Sequence, residues 1–180
     1  MKYTLLILAF FTIFGTVASQ DTQKASTKMD DFVSKTGVIV RFEDHNLEDI
    51  KLAYGTAEAR IRVMTAGGET EYFLQITNEG KYNSNTASIA YEDVLEVNKA
   101  FESLQAAAQA EERGSTTYVE NKFITDDGFQ IGYYFSDGKL VWFMKLERYA
   151  SDATVFLKDV TEVVNAFNNA ISRMEALRAK

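Results

Sequence analysis

A chain of 180 residues with 46% apolar and 13% aromatic content has a globular composition and enough length to bury a real core. Nineteen Lys and Arg against 26 Asp and Glu give a net charge of −7, which argues against nucleic acid as a partner held by its phosphates. The absence of Cys excludes disulfides, thiolate metal sites and cysteine nucleophiles. A single His leaves no histidine-rich zinc site, and no Pro means no stiff proline-rich linker.

The N-terminus carries an address. Lys2 precedes the uncharged run Tyr3 to Ala18, and the small residues Val17 and Ser19 stand at the two specificity positions before Gln20. Residues 1–19 therefore read as a secretory signal peptide. The run is shorter than the ~20 residues that span a bilayer comfortably, and no basic stop signal follows it. The expectation is cleavage before Gln20, no stable membrane span afterwards, and a periplasmic or secreted protein. Loss of Lys2 takes the charge to −8.

Residues 20–36 are polar and read as a flexible lead-in, with a short helical turn at Met29 to Lys35. The first structural unit spans 37–114. Its strands are expected at Gly37 to Phe42, Ala59 to Thr65, Glu71 to Thr77 and Thr86 to Ala90, with Gly67-Gly68 as a turn. The polar segment Glu43 to Gly55 is left as a connection of no assigned structure. A helix follows, with Val94, Val97, Phe101, Leu104 and Ala108 on one face and Gly114 as its stop. The second unit spans 115–180. Strands are expected at Thr117 to Thr125, Phe129 to Phe135, Lys139 to Glu147 and Ala153 to Lys158. Asp126-Asp127-Gly128 and Ser136-Asp137-Gly138 are turns. A second helix carries Val160, Val163, Val164, Phe167, Ile171, Met174 and Leu177. Asp93 with Glu96, and Asp159 with Glu162, have capping-box spacing at the two helix starts.

The two units repeat one motif. Asp93 to Phe101 matches Asp159 to Phe167 at six of nine positions. Upstream, Ile61 aligns with Ile131, Gly68 with Gly138, and Tyr72-Phe73-Leu74 with Trp142-Phe143-Met144. A small loop insertion in Asn78 to Thr86 reconciles the two offsets. The fold class is α+β: two tandem ββββα repeats whose antiparallel sheets pack against long amphipathic helices.

In each copy the last strand runs straight into the helix: Ser88-Ile89-Ala90-Tyr91 into Asp93 to Leu104, and Thr154-Val155-Phe156-Leu157 into Asp159 to Ile171. This layout resembles the PUR-repeat proteins and is similar in plan to the Whirly and PC4-type single-strand binders. The resemblance covers the arrangement from Gly37 to Lys180 and implies single-stranded nucleic acid laid across a basic, aromatic sheet. The acidic charge and the export signal depart from that pattern, so the fold is carried over and no binding residue is. The chain also looks like uncharacterised secreted proteins of Bacteroidetes.

No nucleophile–base pair of recognisable spacing is present, and no cofactor is implied. The reading is a non-catalytic binding or structural module of the envelope, its partner a protein, peptide or glycan. The alternatives are a carboxylate-dependent hydrolase of an envelope polymer and a PUR-like binder of single-stranded nucleic acid. Tyr133, Tyr134, Trp142, Phe143 and Tyr149 concentrate aromatics in the second copy. Alternation puts Trp142 and Tyr133 inward and Tyr134, Phe143 and Lys145 outward, so these last three are the candidate ligand-binding residues. His45 among Asp44 and Glu48 is the only place where His meets carboxylates. Its spacing fixes no coordination geometry, and the segment reads as a solvated acidic loop rather than a metal site. Arg60 and Arg62 flank Ile61 in the outward phase, as solvated charge on a strand.

Overall fold

Gly67-Gly68 and Asp137-Gly138 close the central hairpins of the two repeats, with φ of 60° and 87° in one and 51° and 72° in the other. A two-residue hairpin loop needs positive φ at both central positions to match strand twist, which Gly supplies freely and Asp tolerates. The computed structural model describes residues 26–80, 84–111 and 118–180. The expected signal peptide at 1–19, its cleavage point and Gly114 lie outside the described residues, as do the centre of the inserted loop and the start of the strand expected from Thr117.

The chain runs α1 (Lys28–Val33), β1 (Val40–Asn46), β2 (Ile50–Lys51), β3 (Thr56–Ala66), β4 (Glu69–Glu79), β5 (Ser84–Ala90) and α2 (Tyr91–Ala110). It continues through β6 (Val119–Ile124), β7 (Gln130–Ser136), β8 (Lys139–Lys145), β9 (Thr154–Phe156) and α3 (Val160–Arg178). The first sheet is ordered β1-β3-β4-β5 with β2 also on β3, and the second β6-β7-β8-β9. All pairings are antiparallel. Register repeats with the sequence: Ile61 opposes Leu74 as Ile131 opposes Met144, and Phe73 opposes Ala90 as Phe143 opposes Phe156.

The inner faces of both sheets and one stripe of each helix merge in a single core. Ile61, Leu74, Ile76 and Ile89 meet Val94, Val97 and Phe101 there, together with Ile131, Tyr133, Met144, Val163, Phe167 and Met174. Alternation along the strands and 3–4 spacing along the helices send these residues to one side. Helix α2 touches β4 and β5 of its own copy and β6 and β7 of the other. Helix α3 packs on α2 and on β2 and β3 of the first copy. Each helix thus reaches across to the other repeat's sheet. The last turn of α3 is fixed to the first turn of α2: the Arg178 guanidinium lies 4.0 Å from the Tyr91 ring centroid and 3.9 Å from Glu92.

Three expectations are corrected. The lead-in assigned to 20–36 is docked chain from residue 28 on: α1, opened by a Thr27–Asp30 capping box, buries Phe32 against Met64, Ala66, Phe73 and Ala90 on the outer face of the first sheet. The Glu43 to Gly55 segment is about half strand. β1 extends through Asn46, β2 follows, and Leu52 bridges Leu157 while the Ala53 amide donates to the Phe156 carbonyl, hydrogen-bonding the two sheets together. The Asp93 capping box does not form. Helix α2 is capped three residues earlier, at Ala90, and Asp93 is buried in its first turn, where Lys28 Nζ meets both carboxylate oxygens at 2.6 Å. Asp159 does cap α3, accepting from the Thr161 amide at 2.8 Å.

Candidate functional site

The phase of the second sheet follows from its core. Ile131, Tyr133 and Phe135 are buried inward and Trp142 lies against Tyr133, centroids 5.1 Å apart. Gln130, Gly132 and Tyr134 on β7 must then face outward. Cross-strand register adds Glu120, Lys122 and Ile124 from β6, Lys139, Val141, Phe143 and Lys145 from β8, and Thr154 and Phe156 from β9.

An aromatic strip crosses this outer face diagonally. Tyr118 stacks on Tyr134 with centroids 5.8 Å apart and planes at 27°. Tyr134 lies 6.2 Å from Phe143, and Phe143 stands directly opposite Phe156. The candidate residues Tyr134, Phe143 and Lys145 therefore do share a face. Phe143, however, keeps only 7% of its surface and Tyr134 is half-buried, because neighbouring rings cover them. The accessible rings are Tyr118 (59%) and Phe156 (39%). Sequence reasoning missed both. Tyr118 precedes its strand, and Phe156 belongs to a three-residue strand too short to show alternation.

Charge on this face is mostly positive. Lys122, Lys139 and Lys145 border the strip. The carboxylate among them, Glu120, accepts from Lys122 Nζ at 2.7 Å and from the Tyr118 hydroxyl. The Lys122 ammonium, and after it the Tyr118 hydroxyl, hold the Glu120 carboxyl below the usual carboxylate range. Gly132 sits between Lys122 and Phe143 across the strands, where the close approach of β6 leaves no room for a side chain. A Cβ there would lie 2.4 Å from the Asn121 carbonyl oxygen and 2.8 Å from Lys122 Cα.

The repeat shows what such a face can accept. Tyr134, Phe143 and Phe156 stand where the first copy has Met64, Phe73 and Ala90. On the first sheet α1 covers those positions and Phe32 is its anchor. Among the described residues no element covers the counterpart face of the second sheet.

The remaining candidates are dispersed or engaged. Asp44 and His45, adjacent on β1, point to opposite faces. Asp44 takes a two-pronged bond from Arg62 at 2.7 Å and lies 3.7 Å from Arg60, while His45 Nε2 is 3.2 Å from Glu43. Glu48 is exposed beyond the strand. These three residues are not brought together, and among the described residues no group of three metal-ligating side chains forms. Arg60 and Arg62 are strand charges as expected, yet both are partnered, Arg60 donating to Gln75 at 2.9 Å. A cleft of about 320 Å³ between α1 and the β6–β7 turn holds Asp30, Asp126, Asp127 and Glu147. Three of these carboxylates are tied to structure: Asp30 caps α1, Asp127 accepts the Lys28 amide at 3.1 Å, and Glu147 accepts the Thr86 amide at 3.2 Å. Burial, with Asp93 and Asp126 nearby, pushes the Asp127 carboxyl up, against the Lys28 amide and charge.

Among the described residues no helix is long and apolar enough to cross a membrane. No family model, no curated protein and no solved structure matches the chain.

Proposed function

We propose that the chain is an exported, non-catalytic binding module of the cell envelope, and that the outer face of its second sheet holds a segment of a partner protein. One observation carries this reading: the same face is occupied by α1 in the first repeat and, among the described residues, by no element in the second. The partner's chemistry follows from the surface. Rings at Tyr118, Tyr134 and Phe156 suit an apolar anchor like Phe32, and Lys122, Lys139 and Lys145 suit acidic residues beside it, as Asp30 and Asp31 stand beside Phe32 in α1.

A photo-crosslinking residue placed at Tyr118 or Phe156 tests this. Crosslinking in cells that make the protein is expected to yield a discrete polypeptide adduct, lost when Lys145 is replaced by Glu. Adducts no stronger than those from Glu102, an exposed site on α2, would overturn it. Export is checked by mass spectrometry of the mature chain, which should begin at Gln20; a mature chain beginning at Met1 in the membrane fraction would refute that part.

The lysines around the aromatic strip favour one second reading, a single-stranded nucleic-acid binder. Titration with single-stranded DNA separates the two, because phosphate contacts give binding that falls steeply with salt.

A further inference from the structure

β1 is an edge strand with charges of both signs on it. Among the described residues it pairs with β3 alone, so its other edge presents free amide and carbonyl groups. Natural edges are blunted by charge, above all Lys, by Pro or by bulges; Val38 to Asn46 contains no Lys and no Pro, and its charges, Arg41, Glu43 and Asp44, are of mixed sign. Apolar side chains are exposed along it as well, Ile39 at 90% and Phe42 at 49%.

We propose that β1 pairs with β1 of a second copy of this chain, antiparallel about a two-fold axis through Phe42, joining the two first sheets into one. The argument is self-complementarity of charge. A symmetric antiparallel pair sets one residue against its own copy and its neighbours against each other. Centring on Arg41, Glu43 or Asp44 opposes two like charges, which is destabilising. Centring on Phe42 opposes Phe42 to Phe42, Arg41 to Glu43 on both sides of the axis, Val40 to Asp44 and Ile39 to His45. Arg41 and Glu43 already form an ion pair of 2.8 Å within one chain, so pairing builds a four-member alternating network. The exposed ring of Phe42, with the Arg62 guanidinium 5.6 Å from its centroid, gains a facing ring. This surface is distinct from the outer face of the second sheet and does not depend on what binds there.

Sedimentation of the full chain from about 1 to 100 µM is expected to show a monomer–dimer equilibrium, as mass action requires. Glu43→Arg should weaken association at least about tenfold, and Arg41→Glu combined with Glu43→Arg should restore it, since the swap re-opposes unlike charges. The chain has no cysteine, so Phe42→Cys should form a disulfide-linked dimer on mild oxidation where Tyr54→Cys does not. Circular dichroism melting checks that each variant is folded. A wild-type chain monomeric throughout, a folded Glu43→Arg chain that dimerises undiminished, or equal crosslinking at positions 42 and 54 would overturn the proposal.

Discussion

Phe101 and Phe167, the same residue of the repeat in its two copies, meet edge to face in the centre of the molecule, centroids 5.4 Å apart and planes at 77°. Both are fully buried. Phe→Ala at either should cost about 3–5 kcal/mol, and the double variant should cost less than the sum, because each loses the same contact. Urea unfolding measures both; a loss under about 1 kcal/mol at either site would refute the shared core.

The Lys28–Asp93 pair should respond asymmetrically. Asp93 is buried while Lys28 is partly exposed. Burial works to lower Lys28, yet its bond to Asp93 and the nearby charges of Asp93, Asp127 and Asp126 outweigh it and raise its pKa. Lys28→Ala strands a carboxylate out of water and should cost about 2–3 kcal/mol, while Asp93→Asn leaves a lysine that water can reach and should cost about 1 kcal/mol. Equal losses in urea titrations would refute the ordering.

Asp44 links stability to pH. The hydrogen bond from Arg62 holds its carboxyl below the usual value of 3.8, against the opposing effect of burial. A depressed carboxyl contributes stability above that value and loses it as pH falls through the folded-state value. Asp44→Asn should therefore cost about 1–2 kcal/mol at neutral pH, and the difference should shrink progressively once pH falls below the usual value of 3.8. A difference that stays constant across a pH series of melts would contradict this.

Gly132→Ala should cost about 2–3 kcal/mol, since the new methyl meets backbone atoms of β6 rather than a movable side-chain tip. A melting temperature unchanged within a degree would show that β6 yields freely.

Much of the fold is legible in the sequence because the repeat preserves what sets register. Hairpin glycines, alternating apolar residues and helix stripes recur at matching positions, and Phe101 and Phe167 lie in the core they predict. What escaped was the work of isolated residues. The helical turn expected at Met29 to Lys35 is there as α1, but six residues show no period that could reveal its docking, which rests on one anchor, Phe32, and on Lys28 reaching Asp93 sixty-five positions away. The Asp93–Glu96 spacing imitated a cap because local spacing cannot reveal a distant cation. At the candidate site the outward phase of Tyr134, Phe143 and Lys145 was readable, since alternation decides it. Their exposure was not, because it depends on Tyr118 and Phe156, brought alongside by pairing across four strands.

The crossing of the helices has a bearing on vectorial synthesis. A chain leaving the ribosome offers β1 to α2 first, and α2 must then wait for β6 and β7 before its second side is covered. The end of β7 lies 26 residues beyond the end of α2, which at about 5–20 residues per second is a wait of roughly one to five seconds. The closing contact, Arg178 on Tyr91, joins residues 87 positions apart and forms only after both units have emerged. The nascent first repeat is thus an unfinished half-core, its apolar helix stripe open to water until the second repeat follows.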